Sequence, residues 1–158
     1  LAAQSDGRNI LRQTADDIRR AQNSSIGSYP IVLAADDEFI FYANMDADAF
    51  IERVRFWLDA TTLKKGIIKP SGSPLAYNPE SESVTEVAHE VVNIGEDKPV
   101  FLYFDEMYSG SGEPLSTPAV PIQVRMVKIQ LELEKNPAKS PAPFHVESIT
   151  RIRNLKSN

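Results

Sequence analysis

The feature that most constrains this chain is the amphipathic rhythm of residues 1–23, LAAQSDGRNILRQTADDIRRAQN. Small or apolar residues fall at Ala3, Gly7, Ile10, Leu11, Ala15, Ile18 and Ala21. Helical spacing gathers these into one narrow stripe and leaves Arg8, Arg12, Asp16, Asp17, Arg19 and Arg20 outside it. Arg12 and Asp16 are four apart, as are Asp16 and Arg20, so the polar face is expected to carry its own ion pairs. If residues 2–22 are all helical, the rod is roughly 31 Å long at ~1.5 Å per residue. Such a stripe is stable only against other apolar surface, which the remaining residues must supply.

Those residues read mainly as strands. Tyr29–Ala35 and Phe39–Asn44 are apolar runs split by Asp36-Asp37, the pattern of a hairpin. From Ile51 to Leu58 the side chains alternate, with Val54, Phe56 and Leu58 facing inward. Thr61 to Lys69 reads as a further strand after a tight turn. Residues 70–83 and 105–121 are Pro/Gly-rich loops. In residues 84–92 the apolar positions 84, 87, 88, 91 and 92 have helical spacing, which predicts a short helix. Val100–Phe104, Ile122–Glu134 and Phe144–Leu155 are strands, the last two joined by the loop Asn136–Pro143, with Leu133 and Phe144 flanking a hairpin. The expected fold class is therefore α+β: a long N-terminal helix (1–23) packed on antiparallel sheet, one further short helix, and a β-rich head (29–158). With 158 residues this suits one domain over 1–158.

The net charge of −5 argues against nucleic acid or an anionic membrane as the main partner. The absence of cysteine removes thiol catalysis, thiolate metal sites and disulfides. No apolar run reaches the ~18 residues of a membrane span. The chain begins at Leu1 rather than Met, which reads as a cleaved end or as a piece of a longer gene product.

The string Asn44-x-Asp46-x-Asp48, with Glu52 beyond it, has the alternating oxygen ligands that open a calcium loop. Ala49 stands where such a loop has its glycine, and Arg55 where it has its closing glutamate. The same residues serve equally as a solvated hairpin turn, and no metal site is assigned. His89 and His145 are far apart with no patterned carboxylate beside either, so a two-histidine zinc site has no support in spacing. No Gly-x-Ser-x-Gly elbow accompanies a possible triad. Ser109-Gly110-Ser111-Gly112 lacks the lysine and helix of a phosphate loop. Trp57, Tyr42 and Phe56 could stack a ligand, though aromatics on strands are more often core. Arg53, Arg55 and Lys64-Lys65, or Arg151, Arg153 and Lys156, could form basic strips, but suit the wet face of a sheet. No catalytic, cofactor-binding or metal residue is assigned, and no enzyme activity is expected.

Three stretches together carry a family resemblance. They are Ile10–Gln22; Phe39–Asn44 with Asp46, Asp48, Glu52–Asp59 and Leu63–Ile68; and Arg125–Leu131 with Arg151–Lys156. In this order they resemble the globular part of type IV pilin-like proteins, in particular minor pilins and the J-type minor pseudopilins of type II secretion. The resemblance implies a membrane-anchored precursor trimmed by a prepilin peptidase, then packed by its N-terminal helix into an extracytoplasmic filament. Minor members of that superfamily often sit at the tip and prime assembly. Other pilin or pseudopilin subunits and the inner-membrane assembly machinery are the implied partners. Ile10, Leu11 and Ile18 would then lie on this domain's own sheet, with Ala3 and Gly7 toward neighbouring helices. The alternative function is a tip adhesin or binding module that recognises a surface ligand or DNA through loops 70–83 and 105–121.

Overall fold

A computed structural model of the chain describes residues 2–134 and 143–155, with side chains from residue 6 onward. Leu1, the Ala3 side chain, residues 136–142 of the expected loop and Lys156 lie outside the described residues. Helix α1 spans Ala2–Arg19. A five-stranded antiparallel meander follows, in the order β1 (Ile31–Ala34), β2 (Glu38–Ala43), β3 (Glu52–Asp59), β4 (Thr62–Ile68) and β5 (Ser83–Ala88). The second sheet is β6 (Phe101–Phe104), β7 (Met126–Leu133) and β8 (Phe144–Arg151), also antiparallel.

The expected α+β fold, a long helix packed on sheet with one further short helix, is corrected on these grounds. The molecule is mostly antiparallel β, eight strands in two sheets, and α1 is its single, short α-helix among the described residues. The helix stops at Arg19, not Asn23. Its last turns tighten through Arg20 N→Asp17 O and Ala21 N→Ile18 O, and then Gln22 N donates to Tyr42 O at 2.9 Å, drawing the chain onto β2. The end of β2 thus takes the donor that would have continued the helix.

The second helix fails for a different reason. Residues 83–88 pair with β4 as an edge strand. Only its last residue, Ala88, is buried, and Val84 is exposed. A strand wet on both faces has no two-residue alternation, so the chance spacing of its valines imitates a helix. Val84, Thr85 and Val87 are β-branched and suit a pleated edge.

Elsewhere the alternation in the sequence is realised directly. Along β3, Glu52, Val54, Phe56 and Leu58 are buried and the residues between them are not. Phe39, Phe41 and Phe56 form an aromatic core, and Phe39 meets Phe101 at 5.9 Å and Tyr103 at 5.6 Å, which joins the two sheets. The buried Tyr103 donates to Ala35 O at 2.6 Å, so its polar end is satisfied.

The helix lies mainly against β8 and β7, and also touches β2 and β5. Leu11, Thr14, Ala15 and Ile18 are buried there. Gly7 is buried too, and a Cβ on it would meet Leu133 at 2.8 Å and Val146 at 3.4 Å. Gly7 therefore serves this chain's own packing, not that of a neighbouring helix. The helix ion pairs also differ from expectation: they are Arg19–Asp16 and Arg20–Asp17, three residues apart, each at 2.9 Å. Asp17 is buried and turns inward to Lys65 of β4 at 2.7 Å, so it is not part of the outer face.

Candidate functional site

The most unusual arrangement of charge is the turn from β2 to β3. Its backbone is wound by its own side chains. Asn44 Oδ1 accepts from Ala47 N at 3.1 Å, and Asn44 Nδ2 donates to Asp48 O at 2.9 Å. Asp48 Oδ1 accepts from Phe50 N at 2.9 Å. Ala47 takes the left-handed conformation at φ 61°, making the sharp turn that a glycine would make more easily.

Glu52 opens β3 and falls on the inward side of its alternation, so its carboxylate tucks beneath the loop. The residue is 1% exposed. Glu52 Oε1 accepts from Met45 N at 2.7 Å, whereas Oε2 is buried with no hydrogen-bond partner. One carboxylate oxygen from each of Asp46, Asp48 and Glu52 lies within 4.8 Å of the others. Lys69, just past β4, brings its ammonium to Asp46 Oδ2 at 2.7 Å and to Asp48 Oδ2.

The protonation preferences follow from this geometry. Burial pushes the Glu52 carboxyl up, opposed by the Met45 N–H and reinforced by the charges of Asp46 and Asp48. The Lys69 ammonium holds the Asp48 carboxyl down, and those aspartates hold Lys69 protonated well above its usual range. The cluster offers only oxygen atoms. Those carboxylate oxygens can take a hard cation.

Asn44, Asp46 and Asp48, singled out in the sequence, are thus brought together, with Asn44 shaping the loop. Lys69 was not anticipated, because β4 returns it to the loop from a separate stretch of sequence.

Each histidine meets a carboxylate in space. His89 is exposed and lies 3.4 Å from Glu86. His145 sits opposite Glu132 in the β7–β8 register. Its Nδ1 meets Glu132 Oε1 and its Nε2 meets Glu147 Oε1 at 2.7 Å. Both ring nitrogens face carboxylates, so neither serves a hydroxyl nucleophile in the manner of a triad. The signal was present in the sequence: once Leu133 and Phe144 close the hairpin, counting one residue outward on each strand sets Glu132 against His145.

The supposed basic strip is largely neutralised. Arg55 pairs with Glu38 and Glu82, Lys64 with Asp59, and Lys65 with Asp17. The aromatic platform does not assemble either. Phe56 is in the core, the Arg55 guanidinium lies 3.6 Å from the Trp57 ring, and Tyr42 packs on Tyr77 at 5.0 Å. Tyr77 anchors loop 70–83 by donating to Ile51 O at 2.6 Å. Loop 105–121 is pinned by Leu115 N→Tyr103 O and Ala119 N→Ala34 O, each at 2.8 Å. Met107 and Ile122 remain exposed beside a groove of about 290 Å³.

No protein-family model matches the chain, and no curated protein matches its sequence.

Proposed function

We propose that the chain is a structural, non-enzymatic subunit, a minor pilin or pseudopilin, of a type IV pilus or type II secretion-like filament, acting at the tip or in initiation of assembly. The reading rests on the ordered resemblance of Ile10–Gln22, of Phe39–Asn44 with Asp46, Asp48, Glu52–Asp59 and Leu63–Ile68, and of Arg125–Leu131 with Arg151–Lys156. The observation that carries it in three dimensions is the one-sided use of α1. Its inner face is consumed by this chain's own strands from Gly7 to Ile18, while Arg8, Asn9, Arg12, Gln13 and Asp16 stay exposed along the outer face. That outer row is available for polar contacts with other subunits and with the inner-membrane assembly machinery. In this reading the full-length protein is membrane-anchored before assembly and extracytoplasmic after it. No helix among the described residues is long and apolar enough to cross a membrane, and this reading places the anchor before Leu1.

Residues 1–158 hold no cysteine, so Arg12→Cys places the one thiol of this segment on the exposed face. Thiol-directed crosslinking in the producing cells is expected to join it to another pilin-type subunit. The coding sequence upstream of Leu1 is expected to hold about twenty apolar residues behind a short basic leader. A crosslink only to unrelated proteins, or an upstream segment without that apolar stretch, overturns the reading.

A tip-binding role has one observation in its favour: Met107 is 81% and Ile122 64% exposed beside the groove at loop 105–121. A glycan array and a DNA mobility shift test it, and two blank results remove it.

A further inference from the structure

We propose that the β2–β3 loop binds a calcium ion through the carboxylates of Asp46, Asp48 and Glu52, and that Lys69 is a tethered cation which the ion displaces. The filament reading and this one stand on separate observations and fail separately.

The argument begins with Glu52 Oε2, which is buried and has no donor. A carboxylate oxygen withdrawn from water without a partner is costly, and folds retain such an atom where something else satisfies it. The neighbouring donors are already committed. Met45 N serves Oε1, and the Lys69 ammonium is bonded to Asp46 and Asp48. Glu52 offers one carboxylate oxygen within 4.8 Å of an oxygen from each of Asp46 and Asp48, so a cation among the three carboxylates is the partner the cluster lacks.

Charge counts the same way. Three carboxylates against one ammonium leave the cluster net negative by two when all are ionised. The Lys69 side chain is 48% exposed and sits at the outer side of the loop, so its ammonium can swing into water as an ion enters.

The donor set selects the ion. Oxygen-only ligands without histidine or cysteine disfavour zinc. A loop with Asp46 and Asp48 exposed can complete six to eight ligands with water, as calcium requires, and does not impose the tight octahedron of magnesium. The two departures from a linear calcium loop are met in space. Ala47 makes the sharp turn at φ 61°, and Glu52 comes in from β3 where a linear loop would use a later glutamate.

Titration calorimetry of the whole chain, stripped with chelator, is the test, with calcium chloride and magnesium chloride as probes. Calcium is expected to bind at one site with a dissociation constant on the order of 0.1–1 mM, and about tenfold or more tighter than magnesium. Lys69→Met removes the resident competitor and is expected to tighten calcium several-fold. Asp48→Asn, on the exposed loop, and Glu52→Gln are each expected to weaken it about tenfold or more, with circular dichroism checking that both are folded. Silence in both the wild type and Lys69→Met up to about 10 mM calcium overturns the site. Binding indifferent to Asp48→Asn and Lys69→Met places the ion elsewhere and overturns it as well. Equal affinity for magnesium overturns the assignment to calcium.

Discussion

Glu82 grips Arg55 with both carboxylate oxygens, Oε1 to Nη2 at 2.8 Å and Oε2 to Nε at 3.0 Å, by crossing the bare backbone of Gly66. Gly66 lies on β4 between Arg55 on β3 and Val84 on β5. The same guanidinium holds Glu38 and lies over Trp57. One arginine therefore ties β2, β3 and the start of β5 together, and one missing side chain makes that possible.

Gly66→Ala tests this crossing by the sign of its effect. In an ordinary strand interior, replacing glycine by alanine stabilises by about 0.5–1 kcal/mol. Here a Cβ would collide with the Glu82 carboxylate and its Cγ at 2.9 Å. We expect a loss of about 1–2 kcal/mol in urea unfolding, from the displaced charge-assisted bonds. In a Glu82→Ala background the same substitution is expected to become neutral or favourable. An unchanged penalty there would show that Gly66 matters for some reason other than Glu82.

Ala60→Gly is expected to move stability the other way. Asp59 pairs with Thr62, so Ala60-Thr61 is a two-residue hairpin turn, and Ala60 sits at φ 55°. The favoured turns of this length need positive φ at that position. A left-handed alanine costs about 1–2 kcal/mol, while glycine costs about 0.5–1 kcal/mol in backbone entropy. The net expectation is a gain of about 0.5–1 kcal/mol, read from the urea midpoint. A loss would mean that Ala60 makes packing contacts worth more than its strain.

The meander from β1 to β4 was legible because its strands obey simple rules. Val54, Phe56 and Leu58 alternate, and Asp36-Asp37 breaks two apolar runs. What was not legible depended on partners. Edge strand β5 lacks a buried face to write an alternation into the sequence, so Val84, Val87 and Ala88 mimicked a helix. The end of α1 was set by Tyr42 O capturing Gln22 N, a contact invisible locally. Asp17 seemed a surface charge until Lys65 on β4 gave it a buried partner. In the acidic loop, Asn44, Asp46 and Asp48 were legible as a string. A linear template then looked for the closing ligand at Arg55, while the hairpin folds Glu52 underneath.

His145 predicts a pH dependence. Glu132, then Glu147, raises its pKa above the ordinary 6.5. A histidine that binds its proton more tightly when folded adds stability that is fully present below the unfolded pKa of about 6.5 and is lost as pH rises through the higher folded value. Glu147 is shifted down from 4.5, first by His145 and then by Lys128, so its contribution is present above that value and fades as pH falls through the lower folded pKa. Together they stabilise the β7–β8 pair most between roughly pH 4.5 and 6.5. Lys98 lies 3.6 Å from Glu132 and Lys128 lies 3.3 Å from Glu147, so both carboxylates also face a lysine. Urea midpoints are expected to fall in the wild type as pH rises from about 6 to about 8.5, a span that brackets the histidine range. His145→Gln is expected to flatten that fall. An equal slope in both proteins would assign it to other groups.

Glu52→Gln is expected to reverse its effect with calcium. In chelator the substitution removes a buried charge whose Oε2 has no donor, and retains a carbonyl oxygen able to accept from Met45 N. Relief of that desolvation is expected to stabilise the variant by about 1 kcal/mol over the wild type. At calcium about a hundred times the wild-type dissociation constant, the wild type gains about 2.7 kcal/mol by mass action and a variant weakened tenfold gains about 1.4 kcal/mol. Thermal melts of the two proteins should therefore exchange order between chelator and calcium. A residue kept for packing alone gives no such exchange: the variant would be the weaker protein under both conditions, and calcium would leave the difference unchanged. That pattern would mean that Glu52 is held for Met45 N. The exchange of order would mean that stability without the ion is given up so that the loop can bind it.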